Sequence, residues 1–230
     1  MKLLAIETST EACSAALLID GALAVRHEEM ARGHAERILP MIDELLAAAG
    51  LALGRLDAIA FGRGPGGFTG LRLAASLVQG LAFGAGLPVV PVSTLRAVAQ
   101  RALELDPGAD AVLVCNDARM HELYWAGFLR DADGLATAAS PERVGPAATV
   151  ELPPALAGRA LAGAGRGFVV SPELAPRLAL PRGCHPALLP SAAAVARLAV
   201  PDWLAGRWVA AEAALPVYVR DDVARPSVPR

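Results

Sequence analysis

Phe61-Gly62-Arg63-Gly64-Pro65-Gly66-Gly67-Phe68-Thr69-Gly70-Leu71-Arg72 is the stretch on which the reading of this chain turns. Residues 56–61 before it are a short apolar run that reads as a buried strand, and residues 69–86 read as a helix. A glycine loop between a strand and a helix suggests a nucleotide site, and residues 62–67 fit G-x-G-x-x-G. The supporting residues are missing. No Asp or Glu occurs between Pro65 and Leu103, so the end of the next strand has nothing to hold a ribose hydroxyl. Pro65 removes a backbone donor from the loop, and no Gly-Lys-Ser/Thr follows as a Walker A site would require. The glycines are therefore expected to permit a tight turn and close packing, with no cofactor bound.

Working outward, residues 2–8, 14–20 and 22–28 read as strands, the last two joined by the hairpin signal Asp20-Gly21. Residues 34–50 form an amphipathic helix, with Ile38, Met41, Ile42, Leu45, Leu46 and Ala49 on one side and Glu36, Arg37, Asp43 and Glu44 on the other. Residues 88–92 read as a strand, and Ser93 can cap a third helix running to residue 105. Three strands, helix, strand, helix, strand, helix gives a mixed sheet with helices on its faces. The ribonuclease-H-like half of the actin and hexokinase superfamily has this order. Asp106-Pro107-Gly108 marks a boundary, dividing the chain into domains 1–105 and 106–230. In the second, smaller domain residues 111–116 and 122–130 read as strands and 191–200 as a helix. Residues 141–190 are rich in Pro, Gly and Ala and carry no clear period.

A hydrophobic content of 54% excludes disorder, and the net charge of −2 lacks the basic face of a free-standing nucleic-acid binder. Cys13, Cys115 and Cys184 form no C-x-x-C pair and read as reduced thiols of a cytoplasmic protein. Glu7 interrupts the N-terminal apolar run too early for a signal peptide. Residues 71–85 contain Arg72 and Gln79 and are too short to span a bilayer, so no membrane association is expected.

Five segments point one way: Leu4-Ala-Ile-Glu-Thr-Ser-Thr10, His34-x3-Ile38-Leu-Pro40, the glycine stretch Phe61 to Arg72, Asp117-Ala-Arg-Met-His-Glu122-x-Tyr124, and Pro216-Val-Tyr-Val-Arg220. Together they resemble the TsaB family of bacterial tRNA threonylcarbamoyladenosine biosynthesis proteins, related to the TsaD family once called glycoproteases. The resemblance covers nearly the whole chain. It implies two actin-like domains of α/β class. It also implies a non-catalytic subunit that serves a TsaD-like transferase and a TsaE-like ATPase. That machinery modifies the adenosine after the anticodon in tRNAs reading codons that begin with A, and tRNA would meet this chain only through the complex. TsaD-like proteins hold a metal with two histidines one helical turn apart. Thr94 and Val98 stand at those places here, so no metal and no catalysis are expected.

The remaining candidates are few. Glu7, Thr8 and Ser9 end the first strand where nucleotide-binding relatives present groups to phosphate, and are a candidate vestigial phosphate site. His27, His34, His121 and His185 include no local ligand pair. Asp117, Arg119, His121, Glu122 and Tyr124 are the densest polar cluster, but strand alternation sends Glu122 and Tyr124 to one face and His121 to the other. In the helix at residues 69–86, Leu71, Ala75, Val78 and Ala82 share one face and Leu73, Leu77 and Gly80 nearly the opposite one. A helix apolar on two sides needs two covers. The resemblance implies that the helix pair meets the TsaD-like partner, with a homodimer possible without it. The expected contact residues are Ile38, Met41, Ile42, Leu45, Ser76, Gln79 and Phe83. The alternatives are a metallopeptidase, opposed by the missing histidine pair, and an actin-like small-molecule kinase, opposed by the missing glycine in the first turn.

Overall fold

The computed structural model describes residues 1–220. Strands β1 (Lys2–Glu7), β2 (Ala12–Ile19) and β3 (Ala22–Glu29) form an antiparallel meander. Asp20 and Gly21 both take positive φ, 47° and 90°, as a two-residue hairpin turn requires. Helix α1 (His34–Ala49) leads to β4 (Ala58–Gly64), α2 (Phe68–Ala85), β5 (Val89–Ser93) and α3 (Thr94–Leu105). β4 and β5 add in parallel beside β1, giving the order β3-β2-β1-β4-β5. Ser93 caps α3, its hydroxyl accepting from the Arg96 amide at 3.1 Å.

The second sheet takes β6 (Ala111–Asp117), β7 (Glu122–Arg130), β8 (Ala136–Ala138), β9 (Arg143–Pro146), β10 (Leu161–Ala164) and β11 (Cys184–His185). Its order is β11-β10-β6-β7-β8, with β9 on β7 as well. Two single-turn helices, α4 (Gly167–Val170) and α5 (Leu174–Arg177), precede α6 (Ala192–Leu204). Residues 141–190, patternless in the sequence, hold β9, β10 and β11, all too short to show a period.

Strand alternation sorts the core into layers. On β1, Leu4 and Ile6 face outward with Ile38, Met41, Ile42 and Leu45 of α1 and Ala74, Val78 and Ala82 of α2. Leu3 and Ala5 face inward, with Leu95, Val98 and Ala102 of α3 and Val195, Leu198 and Ala199 of α6. Val112, Val114, Ala126 and Phe128 of the second sheet close the same cluster from the other side. α3 and α6 are thus shared by both sheets. The strands of the first sheet lie within residues 2–93 and those of the second within 111–185, but α6 returns to the first. There the Ala192 amide donates to Ser14 Oγ at 2.9 Å.

Polar groups fix the shared layer. Arg96 of α3 meets Asp202 of α6 at 2.8 Å and donates to the Ala136 carbonyl on β8 at 2.6 Å. Arg207 reaches the other Asp202 oxygen at 2.7 Å. Arg130 of β7 donates to the carbonyls of Leu103 and Asp106, capping the C-terminal end of α3. Removing one member of a buried pair strands the other. Asp202→Ala is expected to cost about 3–5 kcal/mol in chemical denaturation, and Arg207→Ala, on the more exposed side, well under half of that.

Candidate functional site

A cleft of about 930 Å³ opens between the loops of the two sheets. Its first wall is built from the end of β1 and the glycine loop. Glu7 is fully buried: one carboxylate oxygen accepts from the Ser9 amide at 2.6 Å, the other from the Thr94 hydroxyl at 3.3 Å. Burial raises its pKa, and the hydrogen bonds from Ser9 and Thr94 oppose the shift. The carboxylate rests on Gly62, where a Cβ would lie 1.9 Å from its oxygen. The start of α2 is pressed equally close, since a Cβ on Gly70 would lie 1.9 Å from the Thr8 carbonyl oxygen. Thr8 Oγ1 donates to the Gly70 carbonyl and the Gly67 amide to the Ser9 carbonyl, at 2.8 and 2.7 Å. The glycines thus let the loop fold onto the strand-end turn. Glu7, Thr8 and Ser9, expected as a phosphate site, are buried under it with these groups bonded internally. Thr8 and Ser9 nevertheless line the floor of the cleft.

The second wall is the β6–β7 hairpin with Arg166 before α4. Arg119, Met120 and His121 all adopt left-handed φ, 61°, 55° and 61°, without a glycine among them. The turn is held by the Arg119 amide on Asp117 Oδ1 at 2.7 Å and by the Glu122 amide on the Arg119 carbonyl. Glu11, from the first wall, lies between two guanidiniums of the second, Arg119 at 3.3 Å and Arg166 at 3.6 Å. Arg63 of β4 and the Ser93 hydroxyl both bind Glu142, and Arg220 binds Glu122 and the Ala118 carbonyl. The two walls are therefore bridged through Glu11, while Arg63–Glu142 ties β4 to the segment before β9.

Of the polar cluster of the sequence, Asp117, Arg119, His121 and Glu122 gather around a small pocket at the hairpin, and Tyr124 lines the main cleft instead. Asp117 pairs with Arg119 and Glu122 with Arg220, while Tyr124 is half-buried, its pKa raised by burial. His34 bonds the Thr10 carbonyl at 2.9 Å from the start of α1. Thr94 and Val98, at the expected metal-ligand positions, are fully buried, the first bonded to Glu7 and the second in the core. Among the described residues no His, Cys, Asp or Glu cluster could hold a metal ion. The cysteines are free, and burial pushes the thiols of Cys13 and Cys184 up to about 11.

The expected contact residues separate. Ile38, Met41, Ile42 and Leu45 are at most 2% exposed beneath α1, so the broad apolar side of that helix is spent on its own sheet. These four are corrected from surface to core. Gln79 is half-buried, its amide donating to the Ala214 carbonyl at 3.2 Å, so the last turns of the described chain cover that edge. Ser76 is exposed, and Phe83 is 80% exposed. Gly80 and Gly84 are exposed beside them, and Leu73 and Leu77 are half-buried. Sequence reasoning missed Glu11, Asn116, Arg166 and Tyr218 as cleft residues. Arg166 lay in the patternless region, and nothing in the sequence pairs it with Glu11.

The raised pKa of Glu7 makes a pH prediction. The folded state holds this proton more tightly than the unfolded chain, so the contribution is complete below the ordinary carboxylate value of about 4.3 and is lost as pH rises through the folded value. Glu7→Gln keeps the acceptor for Ser9 and carries no charge. Its stability relative to the parent should therefore rise with pH across that window, read from denaturation midpoints. A constant difference would show that Glu7 ionises without penalty.

The family described as TsaD, tRNA N6-adenosine threonylcarbamoyltransferase, matches residues 25–206. The Escherichia coli protein named tRNA threonylcarbamoyladenosine biosynthesis protein TsaB is 41% identical over 230 residues, covering 100% of this chain and 99% of that protein. The Haemophilus influenzae protein of the same name is 55% identical over 131 residues, 57% of this chain and 55% of that protein. The solved structure of YeaZ from Pseudomonas aeruginosa superposes with a TM-score of 0.87 at 45% identity, covering 94% of this chain and 99% of that one. With these likenesses running the length of both sheets, the chain belongs to the TsaB family of tRNA threonylcarbamoyladenosine biosynthesis proteins, within the wider family that TsaD describes.

Proposed function

We propose that this chain serves threonylcarbamoyladenosine formation on tRNA as a non-catalytic subunit, holding a TsaD-like transferase and a TsaE-like ATPase. Family membership supports the pathway. The observation that carries the subunit role is the outer surface of α2. Leu71, Ala74, Ala75, Val78 and Ala82 are buried on the sheet, while Phe83 projects into solvent on the far side. Gly80 and Gly84 flank it, with the half-buried Leu73 and Leu77 alongside. Small residues around one large apolar side chain suit close helix approach, and buried apolar area contributes about 25 cal/mol per Å². The partner face is therefore the stripe Leu73, Ser76, Leu77, Gly80, Phe83 and Gly84, and a second copy of the chain can occupy it when the transferase is absent. Thr94 bonded to Glu7, and Val98 in the core, support a role without metal chemistry. Among the described residues no helix is long and apolar enough to cross a membrane.

Phe83→Glu places a charge where the partner would desolvate it, at a cost of several kcal/mol. Because Phe83 is 80% exposed, the melting temperature should not fall. Affinity for the TsaD-like protein should drop by about a thousandfold, roughly 4 kcal/mol, and modification should fail in a reconstituted system. Normal binding by the folded variant would move the interface elsewhere.

A further inference from the structure

The last described turns form a strap along α2. Val209 exchanges two backbone bonds with Val89 of β5, at 2.8 and 2.9 Å. From there residues 209–218 run back toward the start of α2. The Gln79 amide donates to the Ala214 carbonyl and Arg72 Nε to the Tyr218 hydroxyl, each at 3.2 Å. The Val217 amide donates to the Arg63 carbonyl at 2.8 Å. The strap packs the wrong way round for a simple cover. Its small residues Ala211 and Ala214 are buried against the core of α2, while Leu215, Val217 and Tyr218 are 39–60% exposed. A segment that served only to close the core would bury its large side chains, because the gain scales with apolar area. α2 adds to the same surface. Phe68, Arg72, Ser76, Gln79 and Phe83 follow at intervals of three or four residues and so form one stripe along the helix. The end members Phe68 and Phe83 are exposed, and the strap meets the stripe at Arg72 and Gln79. The Arg72 guanidinium lies 3.9 Å over the Phe68 ring, whose centroid is 5.8 Å from that of Tyr218. Among the described residues these two aromatic side chains are its partners, and neither is a carboxylate.

We propose that the strap and this edge of α2 are a single face, and that the TsaD-like protein covers both. It brings an apolar helical surface over Leu215 and Phe83 and a carboxylate against Arg72. This rests on the subunit role proposed above and extends its contact to residues 209–218 and to the start of α2. Exposed apolar side chains on the strap are continuous with the stripe that ends at Phe83, so a partner seated there reaches them. An 18-residue helix offers an edge of about 27 Å, along which a partner helix can lie lengthwise. Arginine stacked on an aromatic ring is a frequent anchor of protein interfaces, and a carboxylate from the partner completes it. α2 itself carries no acidic residue, so a second copy packed α2 on α2 leaves that charge unanswered and is the weaker occupant.

Calorimetric titration of the full chain with the TsaD-like protein, beside a melting curve for each variant, tests the face. Leu215→Glu sets a charge on an exposed position, so the melting temperature should hold while affinity falls by about a hundredfold. Arg72→Gln keeps a polar group beside the Tyr218 hydroxyl and removes the charge. It should weaken binding by about tenfold and flatten the loss of affinity as salt is raised. Should Leu215→Glu melt early, Leu215→Ser and Arg72→Gln decide in its place. Phe83→Glu is run alongside. Lost binding with Phe83→Glu, beside parental binding by the Leu215 and Arg72 variants, would overturn the shared face and leave the α2 stripe standing. Parental binding by all of them would overturn both. A change confined to self-association in light scattering, with parental titration by the TsaD-like protein, would give the face to a second copy and overturn the proposed occupant.

Discussion

Helices α3 and α6 are pressed between two sheets, and burial on both sides of this pair holds the molecule together. Leu95, Val98 and Ala102 of α3, with Val195, Leu198 and Ala199 of α6, have no exposed surface. A helix pair so enclosed needs small side chains to let the sheets approach, and alanine supplies them at no side-chain entropy cost. The enclosure leaves few places for a polar group. The Arg96–Asp202 pair sits at the edge of the layer, where β8 supplies a third partner through the Ala136 carbonyl. Both walls of the cleft are anchored here: β1 and β4 rest on one side of the layer, β6 and β7 on the other.

The same enclosure explains which parts of the fold were legible. The meander β1–β3 and helices α1 to α3 announce themselves through alternation, an Asp-Gly turn and a Ser93 cap. β10 does not. Leu-Ala-Gly-Ala is too short for a period, and its place between β6 and β11 depends on pairing with β6 residues some fifty positions before it and β11 residues some twenty after it. α6 passes Pro201 and ends at Leu204, beyond the expected residue 200, with the proline inside the helix at the loss of one backbone donor.

The sites were legible in kind more than in place. Glu7, Thr8 and Ser9 read as polar groups at a strand end. Their burial depends on Gly62 and Gly70 meeting them through the fold at contact distance. The apolar side of α1 reads equally well as core or as interface, because periodicity reports an apolar face without saying what covers it. α2 differed because it carried two such faces, and only one could meet its own sheet. The opposing arginines around Glu11 come from hairpin and loop positions more than a hundred residues distant, which no local pattern joins.

The return of α6 has a consequence for how the chain is made. The strands of the first sheet are complete when Ser93 has been synthesised, but half of their inner cover ends at Leu204, and the bond from Ala192 to Ser14 spans 178 residues. At about 5–20 residues per second the ribosome takes on the order of 5 to 20 s to supply that stretch. Through that interval Leu3, Ala5, Ala58 and Ala60 face a layer of which only α3 exists. The nascent chain therefore carries a long-range closing step with high contact order, and an apolar surface for a chaperone to shield until the last helix arrives.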